Sequence, residues 1–171
     1  MIFLTIGTHE PFDRLIRAVD DWYGRRPGAP ELFGQITDPK PDSYRPQHFE
    51  WLSRLPPAEY SDRVARSSLI VSHAGMGSII TALHSGKPIV VMPRRGHLRE
   101  TRNDHQYTTV KMLGSRPGIY VADDETTLAA VLDQAVAELG NASAPRISAF
   151  ADATFTTALG SFLREQKNDK T

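Results

Sequence analysis

The residues best able to do chemistry crowd into one stretch, 69–106. Near its start, Ser72-His73-Ala74-Gly75-Met76-Gly77-Ser78 sets two glycines and a hydroxyl beside a histidine. Glycines at the head of a helix let the N–H groups around Gly75, Met76, Gly77 and Ser78 approach an anion closely. The helix N-terminus adds partial positive charge, so a phosphate or diphosphate is the natural guest. A tight turn that simply needs glycine is the plainer alternative. The spacing is neither GxGxxG nor GxxxxGK(S/T), so the dinucleotide and P-loop fingerprints do not apply. Farther on, residues 93–103 form a polar loop holding Arg94, Arg95, Arg99 and Arg102. Such a charge run is either a solvated surface or a border for a ligand's sugar and phosphates.

The elements around these residues follow from apolar patterning. Leu69-Ile70-Val71 is a short branched run that predicts a buried strand. Ile79, Ile80, Leu83 and His84 then fall at helical spacing, Gly86-Lys87-Pro88 stops that helix, and Ile89-Val90-Val91-Met92 begins another strand. This is one βαβ unit, and the arginine loop leaves the C-terminal end of its second strand, where ligands of open α/β sheets bind. Further strands are predicted over 2–6, 31–36, 48–52 and 118–121. Pro39, Pro41 and Pro46 mark an irregular crossing between two of them. Pro11 suits the first turn of a helix whose apolar stripe is Phe12, Leu15, Ile16, Val19 and Trp22 or Tyr23. Other helices are expected over 57–65, from Asp104 onward, from a cap at Asp123-Asp124-Glu125 through Leu139, and over 144–164. The fold class is α/β, a Rossmann-like layer of about six mostly parallel strands with helices on both faces. Residues 1–165 are expected to form the domain and 166–171 a polar tail.

Composition narrows the function classes. The chain has 171 residues, 40% hydrophobic and 23% charged, which is ordinary for a globular protein. Twenty basic and twenty acidic residues cancel, which argues against general attraction to nucleic acid or anionic lipid. There is no cysteine, hence no disulfide and no thiolate metal site. No signal peptide or membrane-spanning run is expected.

His73-Ala74-Gly75, Gly86-Lys87-Pro88, Pro93 and Asp104-His105-Gln106 together resemble the donor-binding signature of family 28 glycosyltransferases. Residues 1–10 with Phe12-Asp13-Arg14-Leu15-Ile16 resemble the opening of its small members. Those include the catalytic subunit of the two-subunit N-acetylglucosaminyltransferase of dolichol-linked glycan assembly and bacterial relatives in capsule and exopolysaccharide clusters. Gln35, Tyr44 and Pro46 look like a family pattern of Gln, Gly, Tyr and Pro, with Thr37 where glycine is usual.

The resemblance implies the donor half of a GT-B enzyme, binding a UDP-sugar. The reaction it implies is inverting, metal-independent transfer of a hexosyl unit to a lipid-diphosphate-linked saccharide in exopolysaccharide synthesis. Glucuronic acid, galactose and N-acetylglucosamine all remain open as that unit. No cofactor or metal is expected. A membrane-anchored acceptor-domain subunit would complete a heterodimer, placing the chain in the cytoplasm at the inner face of the membrane. By the same resemblance Gly7 and Thr8 face the diphosphate across the cleft, although Thr8 fits an N-cap or turn role equally. His9 is a loop residue rather than a base. Asp104, His105 and Gln106 fall at the sugar-contacting position, and Asp104 again fits an N-cap. His73 is the candidate catalytic residue, shaping the site or binding phosphate while the general base comes from the partner. Thr81 stands where the family has a ribose-clasping glutamate, leaving one hydrogen bond at most. Residues 51–55 border the nucleotide base, with Trp51 owed more to the core. The arginine loop makes a glucuronate worth testing, because arginine pairs bidentately with carboxylates. A non-catalytic nucleotide-sugar-binding or enhancer subunit is the alternative. A dinucleotide-dependent oxidoreductase is disfavoured by the missing fingerprint.

Overall fold

Each branched, apolar run becomes a strand, and the breaker clusters between them become loops. The computed structural model describes residues 1–7, 10–102, 104–113 and 116–140. Its strands are β1 (Ile2–Thr5), β2 (Leu32–Gln35), β3 (Glu50–Leu52), β4 (Leu69–His73), β5 (Ile89–Met92) and β6 (Ile119–Val121). The helices are α1 (Asp13–Gly24), α2 (Pro57–Arg66), α3 (Met76–His84), α4 (His105–Leu113) and α5 (Glu125–Glu138), with a 3-10 turn at Gly96–Leu98. The six strands form one sheet in the order β3-β2-β1-β4-β5-β6, and every neighbouring pair is parallel. The α/β expectation is met. The expected helix over 144–164 and the polar tail lie outside the described residues.

Strand alternation sends side chains to two cores. Ile2, Leu4, Leu69, Val71, Val90 and Met92 pack with Leu15, Ile16 and Val19 of α1 and Leu128 and Leu132 of α5. Phe3, Ile70, Ile89 and Val91 point the other way, onto Val64 of α2 and Ile79, Ala82 and Leu83 of α3. Both faces are covered, as a parallel sheet requires. Trp51 packs against the first of these cores, in keeping with its expected structural role. The α5 start is as its acids predict: the Asp124 carboxylate accepts from the N–H groups of Thr126 and Thr127 in a capping box.

Two local features depart from the simplest pattern. Strand β3 is shorter than the expected 48–52 because backbone around His48 has another partner. The wholly buried Asp20 carboxylate accepts from the N–H groups of Gln47 and His48 and from the Tyr44 hydroxyl, at 2.9, 2.9 and 2.6 Å. Burial pushes this carboxyl up, but those hydrogen bonds outweigh it and hold it below the ordinary range. Thr37, where the resemblance expects glycine, has φ 63°. A branched residue there costs about 1–2 kcal/mol of backbone strain. Its hydroxyl offsets part of that by donating to the Gly7 carbonyl at 2.9 Å.

Strands β1 and β4 are neighbours, and strand order runs outward from them in both directions. Loops leaving their C-terminal ends diverge, so a crevice opens between them.

Candidate functional site

That crevice is a cleft of about 490 Å³, bordered by Thr5, Gly7, Gln35, Leu55, Pro57, Tyr60, Ser61, His73, Gly77 and Ser78. No acidic residue is among them. Helix α3 begins at its rim, with Gly75 as N-cap and no side-chain cap. The N–H groups of the first turn therefore lack a protein acceptor of the usual kind and are available to an anion.

Each glycine has a separate reason. Gly7 has φ 81°, in the left-handed region that favours glycine. A Cβ on Gly75 would lie 2.3 Å from His73 Nε2, so the turn closes only without a side chain. A Cβ on Gly77 would meet nothing within 4 Å. At Gly77 the missing side chain leaves space in the cleft rather than relieving the fold.

The floor is held by a polar network across three strand ends. Thr5 Oγ1 donates to Gln35 Oε1 at 2.8 Å, and Gln35 Nε2 donates to the carbonyls of Gly7 and Ser53, each at 3.2 Å. With Thr37 also on its carbonyl, Gly7 has its peptide orientation fixed from two sides. His73 is largely shielded. Burial, reinforced by the nearby Arg94 and His105 charges, lowers its imidazole to about 4, so it is neutral at physiological pH. Among the described residues no three of His, Asp or Glu gather closely enough to hold a metal ion.

The structure brings Gly7, His73, Gly77 and Ser78 together, with Gly75 and Met76 at the same helix head. It puts other expected site residues elsewhere. Thr81 lines an adjoining groove with Ile80 and His84, which shares Tyr60 and Ser61 with the cleft. Asp104 and Arg95 line a separate hollow with His97, Tyr107 and Thr108. The Asp104 carboxylate accepts from the Gly96 N–H at 2.7 Å. His105 is exposed at the start of α4, near enough to His73 to influence its charge. Arg99 and Arg102 are exposed, and Thr8 lies outside the described residues.

Two of the expected residues are buried. Arg94 is not part of a solvated arginine surface: it is 4% exposed. Its guanidinium donates to the carbonyls of Ile6, Glu10, Pro11 and Glu100. Gln106 is also buried, and its amide oxygen accepts from the Arg94 N–H at 3.1 Å. That oxygen is thereby tied to the loop. Gln106→Ala is therefore expected to cost about 1–3 kcal/mol of stability, the price of an orphaned buried N–H. UDP and UDP-sugar affinities should fall together, by the same factor. Denaturant unfolding and paired calorimetric titrations check this; a loss confined to the UDP-sugar would restore the sugar contact.

Thr5, Tyr60 and Ser61 were missed. Thr5 carries a legible signal, a hydroxyl closing an otherwise apolar strand. Tyr60 and Ser61 carry none, because only the packing of α2 across the sheet decides which of its residues reach the cleft.

The chain's residues 1–158 match the model of the glycosyltransferase family 28 C-terminal domain. No curated protein sequence matches. Solved structures that share the fold include three sugar-transfer enzymes. The glycotransferase of kitacinnamycin aligns with TM-score 0.54 at 22% identity, over 82% of this chain and 34% of its own. CalG4, the calicheamicin glycosyltransferase, aligns with TM-score 0.55 at 18% identity, over 82% and 34%. The spinosyn forosaminyltransferase SpnP aligns with TM-score 0.50 at 13% identity, over 82% and 39%. This chain thus spans about a third of the length of the structures it resembles.

Proposed function

Because the chain belongs to the glycosyltransferase family 28 C-terminal domain family, we propose that its cleft binds the donor of a sugar transfer, a UDP-sugar. The supporting observation is the uncapped head of α3 beside Gly75 and Gly77, opening on an acid-free cleft at the C-terminal sheet edge. The diphosphate lies over the first turn of α3. As the bond from sugar to UDP breaks, negative charge grows on the departing diphosphate, and fixed amides with the helix dipole stabilise it without reorganising. This chemistry asks for no metal. The neutral His73 shapes the floor of the site.

A hexosyl unit is transferred with inversion to a lipid-diphosphate-linked saccharide of exopolysaccharide synthesis. The acceptor-binding half and the general base belong to a membrane-associated partner. With Arg94 committed to backbone carbonyls, a glucuronate would have to use Arg95, Arg99 or Arg102.

Calorimetric titration with UDP, UDP-glucuronate, UDP-galactose and UDP-N-acetylglucosamine tests the donor. UDP should bind, and one sugar should add affinity over UDP alone. No binding by any of the four would end the donor reading. The isolated chain should show little transfer to a lipid-linked acceptor and gain it on addition of the partner. Efficient transfer by the chain alone would remove the partner from the mechanism.

A further inference from the structure

Positive charge is unevenly spread in a chain whose total is zero. Residues 94–116 hold six basic and two acidic residues, and the rest of the chain holds fourteen and eighteen. Within this stretch Arg94 is committed to backbone carbonyls, and Arg95 to Asp123 and Asp124. The Glu100 carboxylate is taken by the Arg14 guanidinium, at 2.8 and 2.9 Å. Arg99 and Arg102 are exposed, and their guanidinium groups form no hydrogen bond or ion pair with any described residue.

Large apolar side chains gather on the same surface. Leu98 in the 3-10 turn and Tyr107 and Met112 on α4 are 47%, 43% and 72% exposed. Among the described residues, no large apolar side chain is exposed on α1 or α5, across the sheet. Helix α4 turns Gln106, Val110 and Leu113 inward, which leaves Tyr107, Thr108, Lys111 and Met112 as its outer face. A hollow of about 470 Å³, lined by Arg95, His97, Asp104, Tyr107 and Thr108, joins that face to the 3-10 turn. The Lys111 ammonium lies 5.3 Å from the centroid of the Tyr107 ring.

Protruding apolar side chains among cations suit the headgroup region of a bilayer, where apolar tips enter and cations meet lipid phosphates. A protein partner would need carboxylates in register with Arg99, Arg102 and Lys111; a fluid anionic surface supplies charge wherever they point. Zero net charge removes any long-range pull toward lipid, but a local excess acts within a Debye length. We propose that the 3-10 turn and the outer face of α4 bind the surface of an anionic bilayer directly. Helix α4 starts from the C-terminal sheet edge, so this contact brings the edge that holds the donor cleft to the bilayer. It is weak alone and adds to the partner's anchor through effective concentration. The surface is this chain's own; its service to a lipid-linked acceptor rests on the reading above.

Co-sedimentation with vesicles needs neither donor nor acceptor, so it judges this contact whatever becomes of the UDP-sugar reading. The chain should bind vesicles of phosphatidylglycerol and phosphatidylcholine at low salt, leave them at high salt, and ignore phosphatidylcholine alone. No binding to the anionic vesicles, or equal binding to both kinds, would overturn the proposal. Replacing Arg99→Gln, Arg102→Gln and Lys111→Gln together should lower the partition coefficient about 100-fold, from roughly 5-fold for each cation. Leu98→Ser with Met112→Ser should lower it about 10-fold. An unchanged coefficient in either variant would overturn it. Hydrogen exchange of the wild type locates the contact without any variant: anionic vesicles should slow exchange across residues 97–112 and leave α1 and α5 unchanged. Protection elsewhere instead would overturn the proposal. So would protection of 97–112 that needs no vesicles and grows with protein concentration, which would assign the face to a second copy. Protection given by the acceptor-domain partner, and lost to no vesicle, would likewise assign it to protein.

Discussion

Gly77→Val is expected to lower UDP affinity by about 100-fold or more while leaving the protein as stable as the wild type. Nothing lies within 4 Å of a Cβ at this position, so the fold has room for the side chain. Gly77 is in the first turn of α3, where valine has a helix propensity a few tenths of a kcal/mol better than glycine. The isopropyl group would stand in the cleft and lift a diphosphate off the amides of that turn. Hydrogen bonds to a charged group are worth about 1.5–3 kcal/mol each, so losing two reaches roughly 3–6 kcal/mol, more than 100-fold. Gly75→Ala gives a different signature, because its methyl collides with His73 and should damage folding and binding together. Calorimetry beside thermal unfolding separates the two. Unchanged UDP affinity in a folded Gly77→Val protein would remove the phosphate cradle.

Arg94→Ala should cost about 3–5 kcal/mol of stability, the range for removing one partner of a buried charged network. Two guanidinium nitrogens reach four carbonyls: Nη1 those of Pro11 and Glu100 at 2.6 and 3.1 Å, Nη2 those of Ile6 and Glu10 at 3.0 and 2.7 Å. The plane also lies over the Phe12 ring, 4.6 Å from its centroid. Burial lowers this guanidinium to about 10, which leaves it charged at neutral pH. Arg94→Lys should recover little, because an ammonium is a point donor and these carbonyls are spread around a fork. The segments after β1 and β5 are both tied to this one side chain. UDP affinity should therefore fall in either variant at temperatures well below unfolding. Denaturant titration checks the stability term, and a loss under about 1 kcal/mol would mean that water replaces the guanidinium adequately.

The contrast between these positions shows what could be read from sequence. Val71, Val90 and Ile70 announce buried parallel strands because unbroken branched runs have few other uses. Gly75 and Gly77 announce a helix head that can take an anion. Arg94 looked like its exposed neighbours Arg99 and Arg102, since nothing local distinguishes a surface arginine from a buried one. Its carbonyl partners Ile6, Glu10 and Pro11 lie more than 80 residues earlier in the chain. The burial of Gln106 was illegible for the same reason, its partner being the Arg94 N–H. Thr37 was legible only as an anomaly, a residue out of place in a resemblance; its φ of 63° supplies the reason glycine is usual there.

Among the described residues the two outermost strands, β3 and β6, are three residues each. Sheet edges are where one chain can template another, and a long flat edge invites continuation of the backbone ladder. At three residues, with Glu50 exposed on β3, these edges offer a rung or two and then stop. A second polypeptide adding itself here as a strand would gain too few backbone hydrogen bonds to offset the cost of ordering itself. Complex formation by this chain should thus be written in side chains and loops, where single substitutions can weaken it, and not in backbone pairing, which they would scarcely touch.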